Sequence, residues 1–173
     1  MLDRSTLASE LAHFADPSDG GFSGWSRDRV TARHAWSHAF ATYLAAMEST
    51  TLAPTNTSID FSHVEDAFFS ALTLANPTVA AAASDFSNAW AAAIAALAAG
   101  APATAGGSTS FTFAAMDPSD VSTRQSALTS ALASAFATGS PTRQADLAEI
   151  ASALHNATTG IRSTPTPVVV VYT

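Results

Sequence analysis

His34 and His38 stand one helical turn apart, the spacing at which two imidazoles can approach one metal ion. In a helix over residues 27–48 the two rings fall nearly opposite Trp36 and Phe40, alongside Arg27 and near Glu48. A polar outer stripe accounts for that placement without a ligand. Zinc would need two further donors, and although His13, His63 and Glu65 exist, no spacing ties them to the pair and no HExxH sequence occurs. No metal and no cofactor are expected.

Two carboxylate pairs, Glu65 with Asp66 and Asp117 with Asp120, are of the residue type that performs acid and base work. Adjacent side chains at 65 and 66 point away from each other on a helix, whereas Asp117 and Asp120 sit where helix-capping acids belong. Serine and threonine are abundant, but no GxSxG elbow accompanies them, and the glycines of GAPATAGG lack the flanks and the lysine of a phosphate-binding loop. Cysteine is absent, which excludes disulfides and thiolate chemistry. The expectation is a protein that is not an enzyme, with no catalytic residue to name.

Basic charge is concentrated at Arg27, Arg29 and Arg33, interrupted by Asp28. With 14 acids against 7 arginines, no lysine and a net charge of −7, a charged protein interface or local ion pairs outrank contact with nucleic acid. Phe22 and Trp25, in GFSGWS, either staple the entry to the following helix or anchor an interface.

The elements that must position these residues read as helices. Residues 4–15 carry Leu7, Leu11 and Phe14 on one face, with Asp3 as cap. Trp36, Phe40, Tyr43, Leu44 and Met47 anchor the next helix. Ser58 or Asp60 is suited to cap a third, with Phe61, Val64, Phe68, Phe69 and Leu72 in helical period. In NPTVAAAASDFSNAWAAAIAALAAG, Asn76 and Pro77 read as a helix start, Val79, Ala83, Phe86, Trp90, Ile94 and Leu97 as its stripe, and Gly100 as its close. Its uninterrupted apolar part is shorter than the roughly 20 residues that span a bilayer, so a helix packed closely on neighbours is expected and a membrane is not. Val121, Leu128, Leu132 and Phe136 mark a helix from Ser119 or Asp120 to Gly139; Leu147, Ile150, Ala151 and Leu154 mark a last one ending near Gly160. No apolar run of signal-peptide length occurs at residues 1–21, so export by a cleaved signal is not expected.

Residues 101–107 read as a flexible turn, and two short extended segments are expected near 108–114 and 167–172, the latter rich in valine. Four valines and a tyrosine at Val168, Val169, Val170, Val171 and Tyr172 need an edge to pair with, either Ser110–Phe113 of the same chain or another chain. The expected fold is mainly α: a compact bundle of about five to six helices over residues 1–163, arranged as two packed helical hairpins, followed by an extended tail at 164–173.

The chain is free of lysine and cysteine, built of small residues, and carries AWSHAFATYLAAM and FSNAWAAAIAAL; in this it resembles small virion structural proteins of tailed bacteriophages. The resemblance implies a structural subunit of the capsid, neck or tail, assembled in the host cytoplasm and contacting copies of itself and other virion proteins. Low charge and the tail fit an assembly role. The contact residues expected are Phe22, Trp25, Phe111, Phe113 and Val168 to Tyr172. Two alternatives stand beside it: a helical protein-binding adaptor, and a carrier of a small apolar ligand whose cavity would be surrounded by Trp36, Phe40, Phe68, Phe69 and Trp90.

Overall fold

A computed structural model describes residues 2–15, 28–45, 61–76, 78–100, 102–105, 109–112, 117–139 and 142–161. Within them lie six helices, α1 (Arg4–Ala15), α2 (Arg29–Ala45), α3 (Ser62–Ala71), α4 (Val79–Gly100), α5 (Pro118–Thr138) and α6 (Arg143–Thr158), and two strands, β1 (Pro102–Ala105) and β2 (Thr109–Thr112). The expected bundle of mainly helical character is what forms. Each helix packs on the next in chain order, and α6 closes the circuit on α1. No described helix is long and apolar enough to cross a membrane.

Local chemistry sets the helix ends. Asp3 accepts from the Ser5 amide and starts α1, Asp28 accepts from the Val30 and Thr31 amides and starts α2, and Asp117 accepts from the Ser119 amide and starts α5. Thr142 does the same for α6 through the Ala145 amide. Gly139 follows α5 with φ of 59° and Gly160 follows α6 with φ of 75°, left-handed conformations that a Cβ would strain.

The core is one cluster to which every helix contributes. Leu7 and Leu11 enter from α1, Phe40, Tyr43 and Leu44 from α2, Val64 and Phe68 from α3, Leu128 and Leu132 from α5, and Leu147 and Leu154 from α6. The alanine-rich helix α4 lies between α3 and α5 and buries Phe86, Trp90, Ile94 and Leu97, with Ala83, Ala89 and Ala93 fully covered between them. Alanine suffices there because α4 is enclosed on two sides, where a methyl group leaves room for close approach and costs little entropy to order. The hairpins α3–α4 and α5–α6 are adjacent through α4 and α5, joined by a polar seam of Gln125 to Asn88 at 2.9 Å and Thr129 to Ser87 at 2.8 Å.

Four expectations are corrected. Residues 102–105, expected as part of a flexible turn, are strand β1, paired antiparallel with β2 in a register that sets Ala103 opposite Phe111; the intervening Gly106, Gly107 and Ser108 are of the type that permits a hairpin reversal. Helix α4 begins at Val79 rather than Pro77, with Thr78 accepting from the Ala81 amide, because Asn76 is turned inward to donate to Asp85. Val79 is therefore in the first turn and 41% exposed instead of in the stripe. Helix α3 begins one residue after Phe61, which offers no side-chain cap; Ser58 and Asp60 lie outside the described residues.

Candidate functional site

Of the expected contact residues, Phe22, Trp25, Phe113, Val168, Val169, Val170, Val171 and Tyr172 lie outside the described residues, as does the segment 164–173. Phe111 is on β2, opposite Ala103.

The pairs that could do chemistry are held by their own neighbours. His34 and His38 are both exposed on α2. His34 stacks on Phe69 at 4.1 Å, and His38 Nδ1 lies 3.2 Å from Glu65 Oε2 of α3. Among the described residues no group of three or more His, Cys, Asp or Glu side chains converges as a metal site. Arg33 donates to the Phe69 carbonyl, 3.1 Å from Nε, while its guanidinium carbon sits 4.1 Å above the Phe69 ring, so this arginine ties α2 to the end of α3. Asp120 binds Arg124 at 2.9 Å one turn on. The aromatic set proposed for a carrier cavity is packed ring on ring: Phe40 lies 5.1 Å from Phe68, and Trp36 meets Phe86 edge-on at 4.8 Å. Phe69, expected in the core stripe of α3, is only half-buried under Arg33 and His34.

Two polar centres escaped the sequence reading. Asp85, 8% exposed on α4, accepts from the Thr73 and Leu74 amides, the Thr73 hydroxyl and the Asn76 side chain, and so holds the α3–α4 joint. Leu74 within that joint has φ of 52°. The second centre is Tyr43, fully buried on α2, whose hydroxyl lies 2.8 Å from Nδ1 of His155 on α6. Burial, with Asp3 adding to it, drives the Tyr43 phenol far above its ordinary range, so the hydroxyl keeps its proton and donates. Burial and the nearby Arg4 hold His155 below the ordinary 6.5, against the smaller pull of Asp3, and so favour the neutral ring; with the Tyr43 hydroxyl as donor, Nδ1 is the acceptor.

The surface feature with the shape of a binding site is a groove of about 680 Å³ between α1, α5 and α6. Ser5 and Ala8 line it from α1, Ala131 and Ala135 from α5, Ala148 and Ser152 from α6; Arg4 and Glu149 are its charged lining groups. Arg4 reaches across to the Ser152 hydroxyl at 3.3 Å. The groove opens onto the outer face of α5, where every exposed residue is Pro, Ser, Thr or Ala. Five hydroxyls of that face have their protons committed: Thr123, Ser126, Ser130, Ser134 and Thr138 each donate to the carbonyl one turn earlier, at 2.8 to 3.1 Å. A face that looks polar by composition thus gives up few hydrogen bonds to water when covered. The signal in the sequence that could have found this face is the repeat of small residues in SALTSALASAFAT.

The chain matches no protein-family model, no curated protein and no solved structure.

Proposed function

We propose that this chain is a non-enzymatic helical module that binds a helix of another protein along the outer face of α5 and into the groove beside α1 and α6. The observation that carries the reading is the run of exposed α5 side chains, none larger than proline or threonine and none charged, over a helix of 21 residues. A charged or long side chain on such a helix would ordinarily keep it in water; its absence, with hydroxyls bonded to their own backbone, leaves a surface that a second helix can approach closely. Arg4 and Glu149 at the groove supply one group of each sign to fix the orientation of the guest. Of the acids of catalytic type, Asp117 acts as a cap, Asp120 as a partner of Arg124 and Glu65 as a partner of His38, which supports a binding role.

Photo-crosslinking tests the reading. A benzophenone side chain at Ser130 should capture one protein in the cells that make this chain, a benzophenone at Asn88 beside the α4–α5 seam should not, and a neighbouring Ala127→Arg change should abolish capture. Capture of a second copy would make the guest this same protein and support the repeating subunit that the likeness to virion proteins implies. Equal labelling from Ser130 and Asn88, or none from Ser130, would remove the α5 face as a binding surface.

A further inference from the structure

Tyr43 and His155 join helices that are 112 positions apart in sequence, and they do so at the place where α1 is held. Helix α1 packs on both α2 and α6, the helices that carry the pair. Its first residues frame the imidazole: Asp3 and Arg4 both act on the charge of His155, and Arg4 donates to Ser152 one turn before it. We infer that the Tyr43–His155 hydrogen bond is an acid-sensitive clasp that holds α1 against α2 and α6.

The chemistry runs through one acceptor. With the ring neutral, Nδ1 accepts the phenol proton and the buried hydroxyl is satisfied. A proton on Nδ1 removes that acceptor: the ring can then only donate to the phenol oxygen, and the Tyr43 O–H is left without an acceptor inside the core, where an unmade bond is expensive. The new positive charge also faces Arg4, whose side chain is fixed toward α6, with Asp3 as the weaker counterweight. Glu149, two turns earlier on α6, faces the groove, and two further charged groups of the bundle are committed elsewhere. Arg124 of α5 binds Asp120 and the carbonyls of Ala157, Thr159 and Gly160, which also covers the negative end of α6 that would otherwise favour a charged His155. Asp85, the sole charged residue of α4, is taken up by the α3–α4 joint. Protonation therefore weakens the seat of α1 first, before the α3–α4 hairpin is touched. The clasp is independent of what occupies the groove, although α1 is one of the groove's walls.

The sign follows from linkage. His155 is harder to protonate folded than unfolded, so the stability it contributes is complete above the unfolded value of 6.5 and is lost as pH falls through the lower folded one. A proton NMR titration of the His155 ring in the full chain, with amide hydrogen exchange followed at the same pH values, reads both halves of the inference. The ring should titrate below 6.5, and amides around Leu11 should lose protection through the same transition, by about tenfold for each pH unit separating the ring from its ordinary value, while those around Phe68 hold. A ring titrating at or above 6.5, or α1 and α3 loosening together, would overturn the clasp. His155→Asn keeps a carbonyl acceptor near the Nδ1 position for Tyr43 and removes the titration, so the α1 response should vanish; its persistence would assign the effect to one of the other four histidines and sink the inference. Should that variant not fold, Tyr43→Phe supplies the second arm: without the phenol donor the ring must titrate at higher pH than in the parent, and an unmoved titration counts against the clasp.

Discussion

At the scale of the residue, Asp85 is the side chain that orders the backbone of the α3–α4 joint. It takes two amides, a hydroxyl and a carboxamide from three residues of the α3–α4 joint, Thr73, Leu74 and Asn76, and so braces the left-handed Leu74, a conformation that a residue with a Cβ does not hold without such support. Asp85→Ala strands those donors in a largely covered site and is expected to lower stability by about 3 kcal/mol, read as a fall in urea midpoint with unchanged slope. A loss below about 0.5 kcal/mol would mean that water replaces the carboxylate and that the joint orders itself. The sequence did not disclose this role, because two of the donors are main-chain groups and Leu74 is not a residue type that announces φ above zero. Caps were easier. Asp3 was legible ahead of its helix, and the Asp117–Asp120 pair was read as capping, whereas Asp28 read as a charge interrupting arginines because three of them surround it.

At the scale of the element, Arg124 shows how one side chain ends one helix from another. From the second turn of α5 it donates to the carbonyls of Ala157, Thr159 and Gly160, groups that have no partner within α6, and the contact requires the two helices to run antiparallel. Arg124→Lys keeps the charge but loses the planar fork that reaches several carbonyls at once, and a loss of about 1–2 kcal/mol is expected, with exchange at the α6 C-terminus rising more than in α4. Equal exchange in both helices would show that the arginine merely adds global stability. Long periodic stripes made α1, α2, α4, α5 and α6 readable to within a few residues. β1 was not, since Pro-Ala-Thr-Ala has weak strand preference and no alternation, and only the glycine pair after it marked a reversal. The groove was invisible for a related reason: its lining is alanine and serine, the residues that periodicity treats as background.

At the scale of the whole molecule, the closed circuit of six helices decides how the protein comes apart. Periodicity forecast the hairpins but could not tell that α6 returns to α1, because that depends on which faces meet and not on where helices begin. The closure is fastened through the middle by Trp90 of α4, whose indole N–H donates to the buried Thr158 hydroxyl at 3.0 Å, which in turn donates to the Leu154 carbonyl. With one core shared by every helix, no hairpin has an interior of its own to retain once the rest has opened. Urea unfolding near neutral pH should therefore be a single transition, with helix content by circular dichroism and tryptophan emission coinciding; Trp25→Phe confines the emission to Trp36 and Trp90, both in that core. Acid should divide the process. His155 withdraws its contribution as pH falls below 6.5, whereas Asp3, held low chiefly by the Ser5 hydroxyl, and Asp28, held low chiefly by the Thr31 hydroxyl, keep theirs until pH falls below 3.8. A first acid step that frees α1 while Trp90 emission stays native, followed by a second that takes the remaining helices, is the expected order. Loss of the Trp90 signal in the first step would mean that α1 is bound into the cooperative unit too tightly to leave alone.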